Sequence, residues 1–166
     1  MNVKLKGNEV ELQGNMPVVG QRLPNVRYVA ADLSEGDLAS HKGQAVVLFS
    51  VPSVDTGVCA TETRTFNQRL AGMGATGLVI SADLPFALKR FCGAEGITHV
   101  KAASDFRFRD MDKLGVRMAN GPLAGLLARV VFVIDGEGVL RYVQVVPEVG
   151  TEPDYDAVLA EVRKFV

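Results

Sequence analysis

Ala45-Val46-Val47-Leu48-Phe49-Ser50-Val51-Pro52-Ser53-Val54-Asp55-Thr56-Gly57-Val58-Cys59 runs from an unbroken apolar segment, through a loop carrying a proline, into a polar stretch that opens on threonine. An apolar run this short, without alternation, reads as a strand buried on both faces. The stretch from Thr56 to about Leu70, bounded by Gly72 and Gly74, reads as a helix. Leu78-Val79-Ile80 and Val130-Val131-Phe132-Val133-Ile134 repeat the buried-strand pattern. Buried strands alternating with helices predict an α/β layered domain with a central mixed sheet flanked by helices.

The rest of the chain fits around that unit. Val3 and Leu5 alternate with Lys4 and Lys6, and Val10 and Leu12 with Glu9 and Glu11, about Gly7-Asn8. This predicts a small N-terminal hairpin over 1–14 with one apolar face and lysines opposite glutamates. Asn15 to Asn25, with Pro17, Gly20 and Pro24, reads as a linker. Asp83 is placed to cap a helix with Pro85 in its first turn, and Leu84, Leu88, Phe91 and Cys92 follow at helical spacing. Phe106 to Leu114 suggests a further short helix. Asp135-Gly136-Glu137-Gly138 turns one strand into an antiparallel partner over 139–146. Thr151 and Asp154 have capping-box spacing ahead of a stripe of Tyr155, Val158, Leu159, Val162 and Val166, the final helix.

At 166 residues the chain has the size of one domain, 1–166. A net charge of −1 and the lack of any basic run interleaved with aromatics argue against nucleic acid or an anionic membrane as partner. The N-terminus has no apolar core of a signal peptide, and no stretch is long enough to span a bilayer, so a cytoplasmic protein is expected. Two cysteines are too few for a disulfide scaffold; they are buried fillers or redox groups.

Cys59 falls in the first turn of a helix at a strand-to-helix junction, where open α/β sheets hold their ligands. First-turn N–H groups lack intrahelical partners, and the helix dipole places about half a positive charge there. Both favour an ionised sulfur. Thr56 is positioned to bond the sulfur or an incoming oxygen, or simply to cap the helix. Pro52 offers a stiff wall without an N–H. The bland alternative for Cys59 is a small buried hydrophobe. Cys92 shares a stripe with Leu84 and Leu88 and is equally well read as a core filler. Arg129, at the start of a buried strand, reads on pattern alone as a structural arginine paired with a carboxylate. His41 and His99 do not combine with the cysteines in any zinc spacing, so no metal is expected. Phe86, Phe91, Phe106 and Phe108 read mainly as core, with a few available for an apolar collar suited to an alkyl or lipid ligand.

Pro52-Ser53-Val54-Asp55-Thr56-Gly57-Val58-Cys59 resembles the peroxidatic motif of the peroxiredoxins. Ile80-Ser81-Ala82-Asp83-Leu84-Pro85-Phe86-Ala87 and Arg90-Phe91-Cys92-Gly93-Ala94-Glu95-Gly96 resemble the thiol peroxidase subfamily. So do Gly121-Pro122-Leu123, Gly125-Leu126 with Ala128-Arg129, and Thr151-Glu152-Pro153-Asp154-Tyr155. The resemblance implies a thioredoxin-like fold with an additional N-terminal hairpin, a homodimer, and a peroxidase of the atypical two-cysteine type that needs no cofactor. Cys59 matches the peroxidatic cysteine and Cys92 the resolving cysteine of the same subunit. Pro52, Thr56 and Arg129 match the positions that complete the peroxide pocket. Ile80 stands in the strand where some members carry a third cysteine.

The implied cycle reduces hydrogen peroxide and organic hydroperoxides to water and alcohols, an antioxidant function. It runs through a Cys59 sulfenic acid and a Cys59–Cys92 disulfide, recycled by thioredoxin. That disulfide is expected to need local unwinding at one or both cysteines, since its Cα atoms must come within about 7 Å. A thioredoxin-type dithiol oxidoreductase is disfavoured because Glu62 stands where a Cys-x-x-Cys would place its second cysteine. A one-shot redox sensor or holdase is the remaining rival, distinguished by the stoichiometry of peroxide consumption.

Overall fold

The computed structural model describes residues 1–166. Strands β1 (Asn2–Leu5) and β2 (Asn8–Glu11) form the N-terminal hairpin, with Val3 opposite Val10 and Lys4 opposite Glu9. Its turn residues are Lys6 and Gly7, not Gly7 and Asn8, and Asn8 pairs with Leu5. Both turn residues have positive φ, at 50° and 81°, as a tight two-residue hairpin of matching twist requires. The carboxylate of Glu148 accepts from the N–H groups of Lys6 and Gly7 at 2.8 and 3.1 Å, tying the tip to the C-terminal region.

The main sheet has seven strands. They are β3 (Arg27–Ala30), β4 (Glu35–Asp37), β5 (Ala45–Ser50), β6 (Ala75–Ser81), β7 (Lys101–Ser104), β8 (Val130–Ile134) and β9 (Leu140–Val145). Their spatial order is β4-β3-β7-β6-β5-β8-β9. The interior strand β5 is parallel to β6 and antiparallel to β8. Helix α1 (Gly57–Leu70) connects β5 to β6, α2 (Pro85–Glu95) connects β6 to β7, and α3 (Tyr155–Val162) follows β9. The thioredoxin-like arrangement, β-α-β followed by an antiparallel pair and a helix, is therefore present with its N-terminal hairpin.

Every residue of β5 is buried, and its alternate side chains feed two cores. Ala45, Val47 and Phe49 join Phe66, Leu70, Leu88, Phe91, Val158, Leu159 and Val162 from the three helices. Val46 and Leu48 face the other way, toward Val3, Val10 and Leu12 of the hairpin region and Met111, Leu114 and Val116.

Several local expectations shift. The β3–β4 hairpin is absent from the sequence reading; it forms where Tyr28 lies across Gly36, and a Cβ at Gly36 would come within 2.7 Å of the ring. The segment 106–114 is helical only as a 3₁₀ turn over Asp110–Leu114, entered through Arg109 at φ 54°. No capping box forms at α3. Asp154 is itself the cap, accepting from Ala157 N–H at 3.1 Å, while the Thr151 hydroxyl donates to the Glu148 carbonyl. Helix α3 ends at Val162, so Val166 leaves the stripe and is exposed.

Candidate active site

Sheet register assembles the site. Ser50, the last residue of β5, lies opposite Ile80 of parallel β6 and Val130 of antiparallel β8. The loop leaving β5 therefore meets two other chain segments: the one leaving β6 and the one entering β8. Pro52 is buried in that loop. Thr56 is the N-cap residue of α1, with extended backbone and no side-chain cap. Its hydroxyl donates back to the Ser53 carbonyl at 3.0 Å, so it reaches neither the sulfur nor the helix N–H groups. The first helical bond runs from Ala60 N–H to the Thr56 carbonyl at 3.0 Å, which leaves the N–H groups of Gly57, Val58 and Cys59 outside the helical ladder. Cys59 is completely buried and Cys92 half-buried, and both are free thiols.

Arg129, one residue before β8, is brought to Cys59 by this register, although the two are 70 positions apart. Its guanidinium is only 2% exposed and has three acceptors. Nε donates to the Val149 carbonyl at 3.0 Å, Nη1 to Glu62 Oε2 at 2.6 Å, and Nη2 to Cys59 Sγ at 3.3 Å. The rigid fork thus holds sulfur and carboxylate side by side. Burial opposes the guanidinium charge, but Glu62 and Cys59 outweigh it and hold the Arg129 pKa above the ordinary arginine value. Burial pushes the Glu62 carboxyl up to about 7 against the pull of Arg129. Glu62 stands one turn beyond Cys59 on the same helix face. The i, i+3 spacing is legible in the sequence; its significance is not, because nothing local says that an arginine will face that turn.

Asp83 is a second residue whose function lies outside the sequence reading. It does not cap α2: Leu84 is the N-cap residue, without side-chain help, and Pro85 opens the helix. The Asp83 carboxylate instead accepts from Ser53 Oγ at 2.7 Å, Val54 N–H at 2.9 Å and Ser81 Oγ at 2.7 Å. It clamps the loop before Cys59 to the end of β6. Asp83→Ala would leave those donors without their acceptor. A loss of about 1–3 kcal/mol is expected by denaturant unfolding, together with a changed rate of Cys59 alkylation by iodoacetamide. An unchanged alkylation rate would show that the clamp does not shape the site.

Cys92 occupies the last turn of α2, where its carbonyl accepts from Ile97 N–H at 3.0 Å. Leu84 is exposed and falls off the expected stripe, leaving Leu88 and Phe91 as the buried face, with Cys92 packed partly against the helix-side core. Burial raises the Cys92 thiol pKa. A cleft of about 340 Å³ separates the two cysteine-bearing elements, with Thr56, Gly57 and Ala60 on one wall and Phe91 and Ala94 on the other. Ion pairs Asp55–Arg90 at 2.6 Å and Arg64–Glu95 at 2.8 Å bridge the same elements. The phenylalanine collar does not form. Phe91 alone of the four lines the cleft, Phe86 and Phe106 point to solvent, and Phe108 carries the Arg27 guanidinium over its ring. His41 is engaged by the Tyr28 hydroxyl at 2.8 Å. No helix is long and apolar enough to cross a membrane.

The Redoxin family model matches residues 18–159. The chain is 50% identical over 165 residues to a thiol peroxidase of Aquifex aeolicus, covering 99% of this chain and 98% of that protein. It is 47% identical over 162 residues to a thiol peroxidase of Leptospira interrogans, covering 95% of each. A crystal structure of a peroxiredoxin-like protein from Aquifex aeolicus superposes with a TM-score of 0.96 at 49% identity, covering 99% of this chain and 97% of that one.

Proposed function

The chain belongs to the Redoxin family, among its thiol peroxidases, and from that membership we propose that Cys59 is the peroxidatic cysteine, Cys92 its resolving partner, and Arg129 the group that binds both sulfur and peroxide. The activity is thiol-dependent reduction of hydroperoxides, with electrons from a thioredoxin-type dithiol. The observation that carries the assignment is the Arg129 guanidinium bonded to Cys59 Sγ at 3.3 Å in a sealed site at a helix N-terminus. The fork can stabilise charge on sulfur and hold peroxide oxygens in line. Pro52 walls the site. Thr56 turns its hydroxyl from Ser53 toward the peroxide when substrate enters.

The thiolate attacks the terminal peroxide oxygen. A sulfur–oxygen bond forms, the O–O bond breaks, and alkoxide or hydroxide leaves and takes up a proton. Cys59 is now a sulfenic acid. Cys92 condenses with it, releasing water and forming the disulfide that a dithiol reduces by exchange. With Cys59 sealed in the first turn of α1 and Cys92 in the last turn of α2, that bond requires one or both turns to open. The chain acts as one domain over 1–166 and as a homodimer in antioxidant defence in the cytoplasm, with hydrogen peroxide and alkyl or lipid hydroperoxides as substrates.

The test is stoichiometry. Wild-type protein with thioredoxin and its reductase should consume many equivalents of peroxide per chain. Cys92→Ser should consume one rapidly and then stall, with further oxidation of Cys59 visible by mass spectrometry. Full thioredoxin-supported turnover by Cys92→Ser would remove Cys92 from the cycle, and a wild-type protein that stops after one equivalent would be a sensor.

A further inference from the structure

Glu62 is fully buried, and its two oxygens are unequal. Oε2 accepts from Arg129 Nη1 at 2.6 Å, whereas Oε1 has no hydrogen-bond partner. Leaving a buried carboxylate oxygen bare is unfavourable, and a proton on Glu62 removes the negative charge that makes it so. The neighbouring sulfur adds a second acid. If Cys59 and Glu62 are both ionised, two negative charges share one guanidinium in a site closed to water. If one proton stays in the cluster, the cluster is neutral, which burial favours.

We propose that Glu62 is a positioning residue that competes with Cys59 for the single charge of Arg129, and that a proton held on Glu62 releases that charge to the sulfur. The inference rests on the assignment of Cys59 as the peroxidatic cysteine. The groups around Glu62 are consistent with it. Arg129 faces it from the entry to β8, and Cys59 lies one turn back on α1. The charge of Glu152, in the segment leading to α3, further favours a proton on Glu62. The Tyr155 hydroxyl spends its proton on Glu152 at 2.7 Å, so it does not donate to Glu62. Burial, the largest influence, pushes the Glu62 carboxyl up to about 7, so proton exchange with the cluster falls in the physiological range.

The peroxide step then balances within the cluster. Sulfur gives an electron pair to the terminal oxygen and becomes a neutral sulfenic acid, the O–O pair leaves as alkoxide, and the alkoxide gains a proton. With no charge left on sulfur, Arg129 has only Glu62 to pair with, and Glu62 gives up its proton. One proton is lost by the cluster and one is gained by the product.

The test follows alkylation of Cys59 by iodoacetamide against pH, in proteins that also carry Cys92→Ser so that one thiol remains. The parent should show a broad profile, as coupled acids do. Glu62→Gln keeps the acceptor for Arg129 but not the charge; its profile should sharpen and move to lower pH by about one unit. Glu62→Ala, which loses an anchor of Arg129, should react more slowly at every pH. A Glu62→Gln profile that superimposes on the parent, or moves to higher pH, overturns the proposal. Should Glu62→Gln not fold, infrared difference spectra of the parent at neutral pH decide: capping the sulfur as a neutral thioether should diminish the protonated-carboxyl band, and an unchanged band overturns the proposal. Loss of the peroxidatic assignment itself would appear elsewhere, as full peroxide turnover by Cys59→Ser, and would leave these profiles untouched.

Discussion

Cys59→Ser is expected to abolish peroxide turnover while leaving the fold in place. A serine hydroxyl keeps its proton near neutrality and is a weak nucleophile without a base to activate it. It also has no counterpart to the sulfenic acid that carries oxidising equivalents through the cycle. The structural effect is small: serine is slightly smaller than cysteine, and its oxygen can take the hydrogen bond that Arg129 Nη2 now gives to sulfur. A residual loss of about 1–2 kcal/mol for a hydroxyl among apolar neighbours is expected. Peroxide consumption with a dithiol reductant, read beside thermal unfolding, separates the two effects. Turnover above the uncatalysed rate would refute the assignment.

Arg129→Met should damage both activity and stability, and the stability loss should depend on pH. Removing a preorganised donor from a charge-developing site typically slows reaction by about a hundred- to thousand-fold, measured as the second-order rate of Cys59 oxidation. Removing the cation of a buried pair leaves Glu62 alone, which costs roughly 3–5 kcal/mol when the remaining charge cannot be shed. Glu62 can shed it by taking a proton. Its folded pKa, already about 7, lies above the ordinary value of 4.5, and loss of Arg129 raises it further. A group raised in the folded state contributes stability that is fully present below its unfolded pKa and is lost as pH rises through its folded pKa. The wild-type protein should therefore lose this contribution between about pH 4.5 and 7, and the variant should go on losing it above pH 7. The gap in unfolding free energy between the two should widen from pH 6 to pH 8. A gap that is constant across that range would mean that Glu62 does not titrate in the variant.

Features that rest on local information are legible in the chain. The apolar run 45–49 and the helix beginning at Thr56 fall within a few residues of their observed positions, and they put Cys59 in a first turn. The second hairpin, β3–β4, is not legible even though Arg27-Tyr28-Val29-Ala30 has a strand-like composition, because its partner holds only Glu35-Gly36-Asp37 and shows no apolar alternation. That partner is stabilised by Tyr28 closing over Gly36, a contact no pattern of hydrophobicity encodes. Asp83 shows the same limit. A carboxylate before Pro85 has the local signature of a cap, yet three donors, two of them from the loop before Cys59, outcompete the helix end.

The order of the buried strands and helices and the helix-start position of Cys59 belong to the sequence, because periodicity and backbone preference act over a dozen residues. The partners of Arg129, the clamp at Asp83 and the competition between Glu62 and sulfur belong to the assembled sheet. Asp83 reaches residues 29 and 30 positions away and Arg129 residues 67 and 70 positions away, through the pairing of Ser50 with Ile80 and Val130. Such register is set by packing of the whole core rather than by any short stretch of chain.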